Sequence, residues 1–283
     1  MRSNAMIIDG KKIAEDIREV LKEEIAVLGH APTLSLVVVG EDPVIESFIR
    51  IKKRFAEEIG VHIEEHRFSD TIDTDTLLGK IEELSLDPSV HGIVVQLPLP
   101  QSIDSEAILG ALPSEKDVDV ISHEGMMLFE SGDSHILPPV VGAVKEILDR
   151  GGVSLENKKV VVVGQGRLVG RPVEIWFKNL GLETTVLTRT NMDMFLDIKE
   201  ADILVLGAGS PSLIKPDMIK QGVAILDAGT SEEKGKLAGD ADPACAEKSS
   251  VFTPVPGGIG PITVAILFSN LLHFFVEKRG SIL

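Results

Sequence analysis

The 283-residue chain has a single cysteine, Cys245. That excludes an internal disulfide and any multi-cysteine zinc or iron–sulfur centre, and the seven histidines are scattered without metal-ligand spacing. Tyrosine is absent altogether, so no phenol is available for chemistry. Basic residues are outnumbered: 28 Lys and Arg stand against 44 Asp and Glu, and the formal charge of −16 argues against a nucleic-acid surface. The plain reading of such a charge is solubility. No uninterrupted apolar run approaches the roughly 18 to 20 residues of a membrane span, and the amino terminus lacks a basic region followed by an apolar stretch and a cleavage site. Together these absences lead us to expect a cytoplasmic protein that binds neither metal, nucleic acid nor membrane. Met1-Arg2-Ser3-Asn4-Ala5 reads as an expression-vector remnant, with Met6 as the native start.

What is present is ample apolar material, 43% of residues, arranged with clear periodicity. Ile13, Ile17, Leu21 and Ile25 recur every fourth residue and predict a core-facing helix over 10–28. Thr33–Gly40 is a short, valine-rich run ending in glycine, as expected of a strand buried on both faces. Asp42-Pro43 then supplies a cap and a first-turn proline for a helix carrying the stripe Ile45, Phe48, Phe55 and Ile59. His62–Phe68, a helix near Thr74–Leu86 and the run Gly92–Leu97 continue the alternation. After a stretch punctuated by Gly, Pro and Asp (98–140), it restarts with Lys159–Gly164, a helix from Val169 to Leu180, and strands Thr184–Thr188, Ile203–Gly207 and Val223–Ala228. Pro261–Lys278 is apolar enough for a helix buried between domains. The pattern predicts parallel sheets with helices on both faces, in two domains.

Val160–Val163 followed by Gly164-Gln165-Gly166-Arg167-Leu168-Val169-Gly170 gives strand, glycine turn and helix in the order that cradles a pyrophosphate. Its spacing is one residue longer than the usual fingerprint, and a tight strand-to-helix turn would read the same way. No acid follows about 20 residues on to bind a ribose 2′-hydroxyl, as an NAD site would have. The next strand ends instead in Leu187-Thr188-Arg189-Thr190, where Arg189 is either a partner for the 2′-phosphate of NADP or a solvated loop residue. Lys52 falls four residues after Phe48 and three before Phe55, on the apolar face of its helix. There it either loses its proton readily through desolvation or snorkels to solvent.

Three words and their order carry a family resemblance. Val39-Gly40-Glu41-Asp42-Pro43 leads to Lys52. Gly92-Ile93-Val94-Val95-Gln96-Leu97-Pro98-Leu99-Pro100 and Lys116-Asp117-Val118-Asp119 follow. With the loop Val163–Pro172, the block Gly235-Lys236-Leu237-Ala238-Gly239-Asp240 and Thr253-Pro254-Val255-Pro256-Gly257-Gly258-Ile259-Gly260-Pro261, the chain from residue 6 onward resembles the bifunctional methylenetetrahydrofolate dehydrogenase/cyclohydrolase family. That resemblance implies two α/β domains with a cleft between them. Residues 6–140, completed by a C-terminal helix over 262–283, would bind folate, and 141–261 would be a Rossmann-type NAD(P)-binding domain.

It further implies Lys52, Gln96 and Asp119 as catalytic residues, with Gln96 positioning the lysine and Asp119 binding the pterin. Phe48, Pro256, Gly257 and Gly258 would contact substrate. Gly164, Gln165, Gly166, Arg189 and Thr230 would contact the cofactor, NADP with NAD as the alternative. Tetrahydrofolate derivatives would be the substrates and a homodimer the assembly. The chain departs from the family at the tyrosine four residues before the lysine, which is Phe48, at Val44-Ile45, at Val120 after the second aspartate, at Pro138-Pro139-Val140-Val141 and at Gln165. These departures bear on the cyclohydrolase step and on cofactor preference. A dehydrogenase without the hydrolytic step, a hydroxy- or keto-acid dehydrogenase, and a non-catalytic folate- or nucleotide-binding paralogue are the competing readings.

Overall fold

The computed structural model describes residues 5–189, 194–233 and 236–280. Met1–Asn4, Thr190 beside Arg189, and Gly235 of the Gly235–Asp240 block lie outside them. Along the chain run β1 (Met6–Ile7), α1 (Gly10–Leu28), β2 (Thr33–Val39), α2 (Pro43–Ile59), β3 (His62–Phe68), α3 (Thr74–Leu86), β4 (Gly92–Val95), α4 (Ser105–Ala111), α5 (His123–Ser131) and α6 (Pro139–Arg150). They are followed by β5 (Lys159–Val163), α7 (Gly170–Asn179), β6 (Glu183–Leu187), α8 (Met194–Glu200), β7 (Ile203–Leu206), β8 (Ala224–Asp227), β9 (Ser231–Glu233), β10 (Lys236–Ala238), β11 (Val251–Phe252) and α9 (Ile259–Gly280). The chain divides into two compact units: Glu15–Pro138 with the residues from Val264 onward, and the residues through Ala14 with Pro139–Thr263.

The first of these units is built on a parallel sheet of order β3-β2-β4. Its central strand, Thr-Leu-Ser-Leu-Val-Val-Val, is buried from Leu34 to Val39 because helices cover both faces, which is why its sequence does not alternate. α2 starts where the sequence says it should: the Asp42 side chain accepts from the Ile45 N–H at 3.1 Å, and Pro43 occupies the first turn. Its buried stripe is Ile45, Ile49, Ala56 and Ile59, joined by Phe55, which stacks on Phe268 of α9 at 5.1 Å between centroids. Phe48, expected within that stripe, is 41% exposed, because Ile49 takes the inward position. α9 is long and apolar enough by composition to cross a membrane, which the search for uninterrupted runs missed because Thr263, Ser269, Asn270 and His273 break the sequence. Its Phe268, Leu271, Leu272 and Phe275 are buried in this unit.

The second unit carries a six-stranded sheet of order β1-β11-β8-β7-β5-β6, parallel throughout. Val160–Val163, Ile203–Leu206 and Ala224–Leu226 are all buried, the mark of a sheet covered on both faces. By its contacts the segment through Ala14 groups with this unit. Met6 and Ile7 pair with Val251 and Phe252, Ile8 is 2% exposed, and the Gly10 N–H donates to the Gly257 carbonyl at 2.9 Å. Two residues of strand give no periodicity to read, so the sequence offered no sign of this pairing.

Candidate active site and cofactor loop

In the first unit Lys52, Gln96 and Asp119 come from three different elements. Lys52 lies on the inward side of α2, three residues after Ile49 and four before Ala56. Gln96 follows the last residue of β4, pinned by its N–H donating to the Val37 carbonyl at 2.9 Å. Its amide nitrogen donates to the Leu97 carbonyl at 3.2 Å, which turns Oε1 toward Lys52 Nζ; that amine donates to it at 3.0 Å. Desolvation lowers the Lys52 pKa, and the negative charge of Asp119 pulls it partway back. Desolvation likewise raises Asp119, with Lys52 opposing. Among the described residues none donates a hydrogen bond to the Asp119 carboxyl, so its oxygens are open to a ligand. An amine whose proton is loosened by burial, oriented by an amide that does not compete for that proton, is equipped for proton transfer.

The turn bearing Asp119 is built by its neighbours. Lys116 is 7% exposed, and its Nζ donates to the carbonyls of Leu84, Ser85 and Asp87 at 2.9, 2.7 and 2.7 Å, closing the end of α3. Asp117 Oδ2 accepts from the Ile121 and Ser122 N–H groups at 2.8 and 2.6 Å, while Oδ1 is buried without a partner. Burial pushes the Asp117 carboxyl up to about 6. Between the two aspartates and these amides, Val120 is forced to a φ of 54°, a left-handed conformation that costs a β-branched residue roughly 1–2 kcal/mol. Sequence reasoning named Asp119 but missed that Lys116 and Asp117 build its platform.

In the second unit the candidate cofactor residues share the carboxyl end of the parallel sheet. Gly164–Gly166 follow β5, Arg189 follows β6 and Thr230 follows β8; Gln165, Gly166, Arg189 and Thr230 are exposed there. Gly164 has a φ of 98°, and a Cβ on it would lie 2.4 Å from the Gly207 carbonyl oxygen. A Cβ on Gly170 would fall 2.0 Å from the Gly164 oxygen, so the loop folds back on the first turn of α7. That helix begins at Gly170, one residue later than expected, and no side chain caps it. Such a glycine cradle leading into an uncapped helix start fits a pyrophosphate. Pro256, Gly257 and Gly258 follow β11 in this same unit, Gly257 with a φ of 102°. Lys52, Gln96, Asp119 and Phe48 thus belong to one unit, and the remaining predicted site residues to the other. The loop Gly207–Ser210 after β7 was passed over, although its Gly-Ala-Gly-Ser sequence after a buried strand was the available signal.

A parallel, doubly wound sheet with a glycine cradle at its carboxyl end in one unit, and a desolvated lysine in an α/β unit of the same chain, define a two-unit dinucleotide-binding enzyme class. Comparison with known proteins narrows it. Residues 8–119 match the tetrahydrofolate dehydrogenase/cyclohydrolase catalytic domain and residues 138–279 match the NAD(P)-binding domain of the same family, so the chain belongs to the tetrahydrofolate dehydrogenase/cyclohydrolase family. It is 39% identical over 281 residues to the bifunctional protein FolD of Dechloromonas aromatica, covering 98% of this chain and 99% of that protein. The crystal structure of the bifunctional enzyme FolD from Campylobacter jejuni has a TM-score of 0.93 at 34% identity, covering 97% of this chain and 99% of that one. The Trypanosoma brucei methylenetetrahydrofolate dehydrogenase-cyclohydrolase, solved with NADP cofactor and inhibitor, has a TM-score of 0.92 at 32% identity, covering 97% and 98%.

Proposed function

We propose that this chain oxidises 5,10-methylenetetrahydrofolate to the 5,10-methenyl form with NADP and hydrolyses that product to 10-formyltetrahydrofolate. The observation that carries the reading is the Lys52 amine, held against Gln96 Oε1 at 3.0 Å with its pKa lowered by burial. NADP supplies the hydride acceptor. Gly164, Gln165 and Gly166 hold its pyrophosphate, Arg189 its 2′-phosphate, and Thr230 lines the same sheet end. Asp119 accepts two N–H groups from the pterin edge, and the exposed ring of Phe48 packs against the aminobenzoate. Pro256, Gly257 and Gly258 complete the substrate contacts.

For hydrolysis, the neutral Lys52 amine takes a proton as water adds to the methenyl carbon. The ammonium so formed returns that proton to the ring nitrogen as its bond to the carbon opens, and the hydroxyl proton of the adduct leaves to solvent as the formyl C=O forms. Gln96 keeps the amine aimed throughout. Phe48 in place of a tyrosine, with no phenol elsewhere in the chain, shifts the balance toward the dehydrogenase and away from the hydrolytic step. The protein works as a cytoplasmic homodimer that binds neither nucleic acid nor membrane. Supporting the cytoplasmic assignment, its one cysteine is buried and free.

The test mixes the purified protein with NADP and methylenetetrahydrofolate, following nicotinamide reduction and methenyl decay separately. Reduction followed by decay is expected. Folate binding without reduction would instead identify a non-catalytic paralogue, and reduction with hydroxy acids but not folate a different dehydrogenase.

A further inference from the structure

The Gly235–Asp240 block has no part in the chemistry above, yet it ends in a fully buried acid. Asp240 Oδ2 accepts from the N–H groups of Ala208 at 2.6 Å and Gly209 at 3.2 Å, and Oδ1 accepts from Ser210 at 2.6 Å. Three successive amides converging on one carboxyl form a nest of the kind that elsewhere holds bound anions. Here the occupant comes from the chain itself.

The loop so held has a defined place in the topology. β5 lies between β6 and β7 in the sheet, so the chain leaves β5 toward one side and resumes on the other. Ligands of open α/β sheets bind in the crevice outside the carboxyl ends of the strands at such a reversal, between the loops that follow β5 and β7. One wall of that crevice is Gly164–Gly170. Gly207–Ser210 is the other. The two walls touch: a Cβ on Gly164 would lie 2.4 Å from the Gly207 oxygen and 3.0 Å from the Ala208 nitrogen, so movement of the β7 loop displaces the cradle.

The loop cannot hold this shape by itself. Gly209 sits at a φ of 63°, where among the described residues a Cβ would meet only Ser231 Oγ at 3.9 Å, and glycine has little conformational preference of its own. Asp240 is in turn fixed from behind. At the end of β8, Asp227 accepts from the N–H groups of Gly229 at 2.9 Å and Ala241 at 2.8 Å, and a Cβ on Gly229 would come 2.3 Å from the Asp240 carboxyl carbon.

We propose that Asp240 is a positioning residue for the dinucleotide site, its carboxyl fixing Ala208-Gly209-Ser210 as the second wall of the crevice and so setting the affinity for NADP. The proposal rests on the cofactor reading above. Asp240→Asn keeps the shape but turns one acceptor oxygen into a donor facing an amide donor. In the full-length protein it is expected to raise the NADP Kd and KM about tenfold or more, with kcat at saturating NADP falling less than about threefold. The KM for methylenetetrahydrofolate stays near wild type.

A folded Asp240→Asn protein with an unchanged NADP Kd overturns the proposal, as does a parallel loss of kcat and of both KM values, which marks a scaffold role. A wild-type protein that fails to bind NADP in the same titration removes the cofactor reading as well. A second measurement needs no variant. In the cofactor-free protein the amide hydrogens of Ala208, Gly209 and Ser210 are expected to exchange slowly; fast exchange that slows only when NADP is added shows that the cofactor, not Asp240, orders the loop.

Discussion

Asp119 and Asp240 are acids withdrawn from water, one in each unit, and the protein treats them in opposite ways. Asp240 has both oxygens occupied by backbone amides, and nothing is left for a ligand. Asp119 has no hydrogen-bond donor among the described residues, only the field of Lys52, and it remains partly exposed. Withdrawing a carboxyl from water without giving it donors is costly. The saturated acid shapes backbone, while the unsaturated one is the acid proposed to meet the pterin. Lys52 and Lys116 repeat the contrast. Lys116 Nζ is surrounded by three carbonyls, whereas Lys52 Nζ donates to a single amide oxygen.

The sharpest way to break this contrast is Lys52→Met, which removes the unsaturated lysine while filling its space. Methenyltetrahydrofolate hydrolysis should fall roughly 10²- to 10⁴-fold, the usual range for a proton-transfer group, with the thermal midpoint nearly unchanged. The sign of the pH dependence follows from the lowered pKa: the neutral amine accumulates above it, so wild-type hydrolysis should rise with pH and level off below the ordinary lysine value of about 10.4. A variant that hydrolyses as fast as wild type would falsify the role.

Next in size is Asp119→Ala. Two hydrogen bonds to a charged group contribute about 1.5–3 kcal/mol each, so folate binding should weaken roughly 10²- to 10⁴-fold. Calorimetric titration of NADP should show no change; collapse of NADP binding with folate binding intact would reverse the assignment.

Arg189→Ala tests whether an exposed cation at the sheet end reads the extra phosphate. The NADP-to-NAD preference in kcat/KM should narrow about tenfold through loss of one charge-assisted contact. If wild type already uses NAD better, Arg189 is a solvated loop residue.

Phe48→Tyr should have the smallest effect. A phenol within reach of Lys52 adds a hydrogen bond of about 0.5–1.5 kcal/mol, enough to speed hydrolysis roughly twofold to tenfold while leaving hydride transfer alone. Fast wild-type hydrolysis that the new hydroxyl does not alter would show that the site needs no phenol.

Much of this was legible before any coordinates. β3 and α3 begin and end at the residues the periodicity gives, and α2 begins at its Asp42-Pro43 signal. Lys52 could be placed on an inward face by counting, because helical spacing is local information. Residues 98–150 were less readable: α4 and α5 are short and lie among the turn residues of 98–140, and α6 opens on the apolar run Val140–Val144, which shows no helical period. The pairing of β1 with β11 spans most of the chain and depends on two residues. Phe48 was misplaced because a spacing of seven between aromatics outweighed the isoleucine beside it, and exposure is settled by packing rather than by residue type. The partners of Asp240 lie about thirty residues earlier in the chain and are main-chain amides, which carry no residue signature.

The Lys116-Asp117-Val118-Asp119 word has a consequence for how such words are used. Its lysine closes a helix, its first aspartate gathers two amides, its valine is 0% exposed, and its last letter accepts no hydrogen bond among the described residues. Three letters of the four are thus spelled by the demands of folding. A chain could keep the whole word for the sake of its platform after its chemistry had gone, and a search keyed to these letters would gather active and inactive members alike.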